Sequence, residues 1–450
     1  MRAIYSAEPT LTKHSQRGSP LHPALETMPR EHLAEMQLER LQATVRNAYD
    51  HVPLQRARLD DAGIGRDGIH SLDDVPQLPF TLKADLRDSY PFGLFARPPE
   101  QLSRLHASSG TTGRPTVVGY TAGDLDRWAD LVARSLKCAG ANLGDVIHNS
   151  YGYGLFTGGL GAHYGAERLG ALVVPISGGS TERQVALIRD FQARVLCSTP
   201  SYALAIAEVA ERLGFDLRKS SLEIGVFGAE PWGAAMRDEI ESRLGLRAFD
   251  IYGLSEIMGP GVACECAAHS GLHGWEDHFL FEIIDPESGR PLPEGEAGEL
   301  VITTLTKEAL PMLRYRTRDI TRLTSARCDC GRTHQRILRI TGRNDDMLII
   351  RGVNVYPSQI EAALMGRPGI APHYQLVVER QGTLDQISVE VEARLGIEAS
   401  DYAAIARDAI HHIKSMIGIT AAVRVKAPGE IPRSEGKAVR VRDLRPKELA

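Results

Sequence analysis

Hydrophobic positions recur along this chain with two different periods. Between residues 25 and 50 the apolar residues, among them Leu33, Leu41 and Val45, follow three- and four-residue steps, which predicts an amphipathic helix. Residues 141–250 instead alternate short β-branched runs with helical patterns. Because strands that alternate with helices pair in parallel, this order predicts an α/β fold whose sheet is covered by helices.

The α/β segment ends in loops that are candidates for a binding site. Its strands are predicted at residues 171–176, 194–197, 222–227 and 248–252, and its helices at residues 181–191 and 202–213. A further helix is predicted with Pro231 near its first turn, where the missing N–H costs little. Ligands bind beyond the carboxyl ends of parallel strands. The loops at Gly228–Ala229–Glu230 and Tyr252–Gly253 fall there.

The pattern changes twice after this segment. Residues 279–304 favour strands and turns, which predicts a small β subdomain on the large body. Residues 345–450 carry a strand pair, two longer strands and an amphipathic helix, which predicts a small α+β domain. We therefore expect an N-terminal domain over residues 1–344 and a C-terminal domain over residues 345–450.

Composition excludes several classes of protein. The 450 residues are 43% hydrophobic and 24% charged, as in globular proteins, and the formal net charge of −5 disfavours bulk nucleic-acid binding. No apolar run approaches the roughly 18 residues of a membrane span, and the N-terminal residues lack the apolar core of a secretory signal. Six cysteines are too few for a disulfide scaffold, so we expect a reducing cytoplasm.

A segment rich in hydroxyls and glycines begins at Ser108. Residues 108–116 read SSGTTGRPT, and such residues let N–H and O–H groups converge on phosphate oxygens. The spacing is not that of a Walker P-loop. The composition alone fits a flexible surface loop equally well.

Two acidic residues have the positions of ligand-binding groups. Glu256 closes the segment YGLSE after a predicted strand, where a carboxylate can hold a divalent cation; a helix-starting glutamate is the alternative. Asp319 closes YRTRD, where it could accept both hydroxyls of a ribose; a surface ion pair is the alternative.

The order and spacing of these motifs identify a family resemblance. Together with GRNDD, RGVNVYP and PRSEGK, they resemble the adenylate-forming superfamily, and most closely the phenylacetate–CoA ligase family. The resemblance runs from about residue 25 to about residue 445 and includes YPFGLFA, FGAEPW and LTKEALPMLRYRTRD. It implies that a carboxylate attacks the α-phosphorus of ATP, giving an acyl-adenylate and pyrophosphate. The thiol of CoA then attacks the acyl carbon and releases AMP.

The resemblance also implies the roles of individual residues. Lys437 would bridge the α-phosphate and the reacting carboxylate, Glu256 would hold Mg²⁺, and Asp345 would be the hinge of a mobile C-terminal domain. The implied ATP and AMP contacts are Ser108, Ser109, Gly110, Thr111, Thr112, Gly228, Ala229, Glu230, Asp250, Tyr252, Gly253, Asp319 and Arg343. The implied CoA contacts are Arg351, Gly352, Val353 and Asn354.

Aromatic residues and glycines in YGYGLFTG (residues 151–158) predict a compact apolar pocket. The residues that the resemblance places around the acyl group are Tyr151, Phe156, Gly228, Ala229, Pro231, Ile257, Gly259 and Pro260. Phenylacetate is the expected acid; benzoate, hydroxybenzoate and aminobenzoate stay open, because one or two side chains decide among them. CoA is the expected acceptor and a carrier-protein thiol the alternative. The resemblance further implies a homodimer.

Two segments rich in cysteine and histidine predict a structural zinc site. Cysteine-x-cysteine-glycine at residues 328–331 is a typical metal knuckle, and a second group lies at residues 264–273. The four predicted ligands are Cys266, His273, Cys328 and Cys330. Cys264 or His269 could replace one of them, and reduced buried cysteines are the alternative to a metal.

Overall fold

The computed structural model describes residues 18–108, 115–350, 353–381, 384–434 and 439–445. Its α-helices are α1 (Pro23–Glu26), α2 (Arg30–His51), α3 (Pro53–Asp61), α4 (Lys83–Asp88), α5 (Ala122–Cys138), α6 (Thr157–Leu169), α7 (Thr181–Asp190), α8 (Pro200–Arg212), α9 (Ala234–Leu244), α10 (Pro357–Leu364) and α11 (Tyr402–Ile417). Its β-strands are β1 (Arg104–Ser108), β2 (Thr116–Tyr120), β3 (Val146–Asn149), β4 (Leu172–Val174), β5 (Val195–Ser198), β6 (Ile224–Gly228), β7 (Arg247–Leu254), β8 (Gly259–Glu265), β9 (Leu272–Gly274), β10 (Phe279–Ile284), β11 (Gly298–Thr304), β12 (Tyr315–Thr321), β13 (Leu323–Thr324), β14 (Arg336–Ile337), β15 (Gly342–Arg343), β16 (Leu348–Ile350), β17 (Val353–Val355), β18 (Ile370–Gln381), β19 (Leu384–Ala393), β20 (Ala422–Lys426) and β21 (Val441–Asp443).

The central sheet is half parallel and half antiparallel. Its strand order is β13-β14-β9-β8-β7-β6-β5-β3-β4, and the strands from β7 to β4 in that order run parallel. Helices α6, α7, α8 and α9 supply the crossovers that parallel strands need. From β7 to β13 the neighbouring strands are antiparallel. The predicted α/β fold is confirmed, and the sheet continues beyond its parallel part because short connections such as the one from β7 to β8 permit only antiparallel pairing.

One helix begins later than the sequence pattern indicates. Helix α9 starts at Ala234, with Gly233 at its N-cap, so Pro231 lies in the loop before the helix and not in its first turn. The loop is needed because β6 ends at Gly228 and Ala229 then adopts a left-handed φ of 71°, which turns the chain across the end of the sheet. Helix α8 begins at Pro200, two residues before the predicted start at residue 202, because the Thr199 hydroxyl caps it by accepting from the backbone N–H of Tyr202.

A four-stranded antiparallel sheet forms the predicted β subdomain. Its order is β10-β11-β12-β15, and strand β12 places Asp319 directly opposite Arg343 of β15. Strand β12 alternates buried and half-buried residues, as expected of a sheet with one face on the core. This register decides which side chains the subdomain presents to the rest of the protein.

The C-terminal part has the predicted α+β architecture. Strands β16 and β17 form a hairpin, and β20-β19-β18-β21 form a second sheet against which α10 and α11 pack through a separate apolar core. Asp345 lies in the turn of residues 344–346 that joins β15 to β16. None of the helices in the described ranges has the length and apolar character that crossing a bilayer requires.

Candidate active site

The carboxyl ends of β6 and β7 come together at one edge of the central sheet. Gly228, the last residue of β6, pairs with Ile251 of β7, and a Cβ on Gly228 would lie 2.3 Å from the Ile251 carbonyl oxygen. Only glycine fits this approach. Two residues later, Glu230 accepts hydrogen bonds from the Ser201 hydroxyl and, at 2.7 Å, from the Ser201 backbone N–H. The loop is therefore held across the sheet edge.

A carboxylate with two donors lies where the β subdomain meets this edge. Asp319 is 4% exposed, and its two oxygens accept from the Tyr252 hydroxyl at 2.6 Å and from the Arg343 guanidinium at 3.0 Å. Burial, and then the Asp319 charge, raises the pKa of Tyr252 well above its usual value. The structure thus joins β7, β12 and β15, and it brings together three residues that are far apart in the sequence.

Glu256 lies just beyond β7 among cationic groups. Its carboxylate is 3.4 Å from the Lys83 ammonium, and its backbone carbonyl accepts from the Lys307 ammonium at 3.1 Å. Burial lowers the pKa of Lys307 to about 8, against the opposing effect of Asp124 and Glu256. Neither lysine was among the predicted site residues, since each lies in a local pattern that resembles an ordinary surface position.

Asp250, on β7, has an unusual protonation equilibrium for a carboxyl group. Desolvation, followed by the negative charge of Glu265, raises the pKa of Asp250 to about 7. The Glu265 carboxylate also accepts from the Asp250 backbone N–H at 2.9 Å. Shifts of this size occur at functional sites, and this one lies at the edge where Gly228 and Tyr252 are found.

The residues predicted for the acyl pocket occupy different environments. Tyr151 is buried, and its hydroxyl donates to the Val226 carbonyl at 3.2 Å, whereas Phe156, at the N-cap of α6, is 53% exposed. Ile257 is fully buried, and Gly259 has a φ of 102° and lies so close to Trp128 that a Cβ would be 2.5 Å from its ring. Gly259 is thus closely packed against Trp128, whereas Phe156 is open to solvent.

The remaining predicted residues either lie in strands or fall outside the described ranges. Ser108 ends β1 and pairs with Thr116, Gly253 lies in β7, and Val353 and Asn354 lie in β17. The predicted residues that fall outside the described ranges are Ser109, Gly110, Thr111, Thr112, Arg351, Gly352 and Lys437. Their roles stay predictions from the resemblance.

Four potential metal ligands meet beside the antiparallel half of the central sheet. The ligand atoms of Cys266, His273, Cys328 and Cys330 all lie within 4.8 Å of one another. The Cys266 and Cys328 sulfurs are 3.6 Å apart, and the Cys330 sulfur is 3.2 Å from Nε2 of His273. A hydrogen bond from Cys266, together with His273, lowers the pKa of Cys330 despite its burial. Since β9 pairs with β14, the two hairpins that carry these residues are neighbours.

The other two candidate ligands point elsewhere. The Cys264 thiol donates to the Ser135 carbonyl at 3.3 Å in the core. His269 stacks on the Phe249 ring, with 4.9 Å between ring centroids, and pairs with Glu265 at 3.4 Å. Cys264 lies within β8, whereas Cys266 follows the end of that strand at Glu265, and only Cys266 joins the cluster.

Comparison with known proteins identifies the family. The family described as AMP-binding enzyme matches residues 38–306, and the AMP-binding enzyme C-terminal domain matches residues 352–445. Phenylacetate–coenzyme A ligase from Thermus thermophilus is 54% identical over 440 residues, which cover 94% of this chain and 99% of that protein. The chain belongs to the phenylacetate–CoA ligase family. This confirms the resemblance and the predicted enzyme class, an acid–thiol ligase of the AMP-forming type whose substrates include ATP and CoA.

Two solved states of one CoA ligase differ in how closely they match the structure of this chain. 2-Hydroxyisobutyryl-CoA ligase in the postadenylation state, with R3-HIB-AMP, is 30% identical and has a TM-score of 0.89, covering 97% of this chain and 94% of that chain. The same ligase in the thioesterification state, with 2-HIB-AMP and CoA, is 32% identical and has a TM-score of 0.71, with 95% and 92% covered. The domain arrangement described here therefore resembles the postadenylation state more closely.

Proposed function

We propose that this chain activates phenylacetate with ATP to phenylacetyl-adenylate and transfers the acyl group to CoA, releasing pyrophosphate and AMP. The observation that carries the proposal is the buried Asp319 carboxylate, oriented by Tyr252 and Arg343 at the carboxyl edge of the sheet. A carboxylate held by two donors can still accept the two hydroxyls of a ribose. The 54% sequence identity to the phenylacetate–coenzyme A ligase of Thermus thermophilus supports the choice of acid.

The phosphates and their metal ion would lie next to the ribose. Glu256 follows Tyr252 by four residues, and the nearby Lys83 ammonium indicates that the surroundings of its carboxylate accept a cation. In the proposal Glu256 holds Mg²⁺, and the residues from Ser108 through Thr112 bind the phosphates. The residues that surround the adenine are Gly228, Ala229, Glu230, Asp250 and Tyr252, and Gly253 is a further ATP contact. These groups orient ATP and neutralise the charge that develops at the α-phosphate.

The C-terminal domain would act in both half-reactions. Lys437 supplies an ammonium group to the α-phosphate and the acid during adenylation. Rotation about Asp345, at the proposed boundary of residues 344 and 345, then brings the segment that begins at Arg351 towards CoA. Its other members are Gly352, Val353 and Asn354. Such a motion is supported by the two solved states of a related ligase, because their TM-scores against this chain differ, at 0.89 and 0.71.

The acid would bind beside the glycine-rich loop after β3. The proposed pocket residues are Tyr151, Phe156, Gly228, Ala229, Pro231, Ile257, Gly259 and Pro260. The aromatic rings and glycines of residues 151–158 favour a compact aromatic acid over a long chain. The homodimer stays a prediction from the resemblance, and the cytoplasmic location stays a prediction from the cysteine content.

We also propose that the cysteine–histidine cluster holds structural Zn²⁺. Zinc–sulfur bonds of about 2.3 Å place the sulfurs of a tetrahedral site roughly 3.8 Å apart. The separations of 3.6 Å for the Cys266 and Cys328 sulfurs, and 3.2 Å from Cys330 to His273, fit such a site. All four positions would be filled by the protein, so the metal would stabilise the fold and would not take part in the reaction.

An assay over a panel of acids tests the proposed function. Isotope exchange between pyrophosphate and ATP would be measured with phenylacetate, benzoate, 4-hydroxybenzoate, 2-aminobenzoate and a long fatty acid, and AMP release with and without CoA. We expect phenylacetate to have the highest kcat/KM and sustained AMP release to require CoA. A preference for a benzoate would refute the choice of acid. Turnover with a carrier-protein thiol but not with CoA would refute the acceptor, and exchange with none of the acids would refute the activity.

A further inference from the structure

An ion-pair cluster joins the N-terminal domain to the C-terminal domain. Glu208 on α8 accepts from Nε2 of His373 on β18 and, at 3.0 Å, from Nε of Arg433. The same Arg433 guanidinium donates to Glu392 of β19 at 2.6 and 2.8 Å. Glu208 is therefore the N-terminal domain's member of this cluster, which we call the docking cluster; the other three residues belong to the C-terminal domain.

The environment of Glu208 keeps its carboxylate ionised. The side chain is 27% exposed, and although burial opposes its charge, His373 and then Arg433 lower the pKa of Glu208 to about 2. Glu392 is 2% exposed, and Arg433 lowers its pKa in the same way against burial. Partly desolvated pairs with several donors contribute more than exposed pairs, because water screens them less.

The cluster has a direct connection to the segment that carries Lys437. Arg433 lies four residues before that lysine, and Glu392 also accepts from the backbone N–H of Ile431 at 3.2 Å. Glu392 thus fixes residues 431–433 to the C-terminal domain's own sheet. Glu208 fixes Arg433 to α8, which is part of the domain that contains the proposed nucleotide site.

This contact belongs to one arrangement of the two domains. The chain is similar to a related ligase in the postadenylation state with a TM-score of 0.89, but only 0.71 in the thioesterification state. A different orientation of the small domain would carry β18 and β19 away from α8, because His373 and Arg433 reach Glu208 only through this docking. A second pair, Arg394 with Glu239 at 2.8 Å, spans the same interface.

We propose that Glu208 is a positioning residue for the adenylation half-reaction. By binding His373 and Arg433 it holds the C-terminal domain in the arrangement that presents the Lys437 segment to ATP, and its ion pairs break before CoA is acylated. This role rests on the proposed function. We therefore expect that removing the charge of Glu208 lowers the population of the domain arrangement that forms the adenylate and leaves the second half-reaction intact.

The test compares two variants on the same helix. Glu208→Gln keeps the shape of the side chain but removes its charge. Glu211→Gln, one turn later, removes the charge from a pair with Arg243 that lies within the N-terminal domain, at 2.7 Å, and serves as the matched control. Single-turnover adenylate formation and thioester formation from supplied acyl-adenylate and CoA would be measured for both variants and the unmodified chain.

We expect Glu208→Gln to slow adenylate formation by about tenfold or more while thioester formation from supplied adenylate changes by less than about twofold. His373→Gln should show the same division between the half-reactions, and Glu211→Gln should alter neither. An equal decrease in both half-reactions, or no decrease in adenylation, would overturn the role of Glu208. Failure of the unmodified chain to form any adenylate would instead refute the proposed function itself.

Discussion

Replacement of Asp319 by asparagine tests how the site holds the ribose of ATP. The change keeps the size of the side chain but leaves one carbonyl oxygen where the carboxylate has two acceptors. One hydrogen bond to a charged group is then lost, which costs about 1.5–3 kcal/mol. Since about 1.4 kcal/mol corresponds to a factor of ten, kcat/KM for ATP should fall by roughly 10- to 150-fold. Arg343, at 20% side-chain exposure, can be solvated, so the fold should survive.

Pyrophosphate–ATP exchange at varied ATP concentration measures this effect. Glu299→Gln is a suitable control, because Glu299 is a fully buried carboxylate on the neighbouring strand β11 that pairs with Arg316 at 2.6 Å. Both variants break a carboxylate–arginine pair in the same sheet, but only Asp319 is proposed to contact the nucleotide. A thermal melt of each variant would show whether the two changes cost similar stability.

The result that would refute this reasoning is specific. If Asp319→Asn changed kcat/KM for ATP by less than about threefold, the side chain would not bind the ribose. If Glu299→Gln lowered it as much as Asp319→Asn does, the effect would come from disturbance of the β subdomain. Either outcome would remove the observation on which the proposed nucleotide site depends.

Three further predictions concern other parts of the molecule. Lys437→Ala should slow acyl-adenylate formation, followed by quenched flow, far more than thioester formation from supplied adenylate, because its charge is needed at the α-phosphate. Cys328→Ser should reduce the zinc content, measured by elemental analysis, from one atom to below about 0.2 atoms per chain, and should lower Tm. A zinc content below about 0.2 atoms per chain in the unmodified protein would contradict the zinc site. The pKa of Asp250 is raised to about 7, above its unfolded value of about 3.9. Ionisation of Asp250 therefore disfavours the fold. The free energy of unfolding in urea, relative to that of Asp250→Asn, should fall as the pH rises from about 4 to 7. The same pH dependence in both proteins would contradict this.

The sequence alone determined the elements whose pattern is local. The apolar run of β5 and the periodic segment of α7 are both predicted from the sequence, because burial on two faces and burial on one face produce different spacings of apolar residues. The family was also determined by the sequence, since motifs such as those around Ser108 and Glu256 have a distinctive order. The late start of α9 after Pro231 was not predicted, because a loop that crosses a sheet edge depends on the neighbouring strand.

Only the tertiary structure decided which distant residues meet. Cysteine spacing left Cys264 and Cys266 as alternatives, and the structure separates them: the Cys264 thiol lies in the core, whereas Cys266, after the end of β8, meets the ligands that the pairing of β9 with β14 brings near. Likewise, no local pattern indicates that Asp319 lies beside Tyr252 or that Glu208 binds Arg433. Strand register and domain docking are set by the packing of whole elements, whose energy is summed over many side chains from separate parts of the chain. A periodic sequence pattern records which face of an element is buried, but it does not record against which partner that face packs.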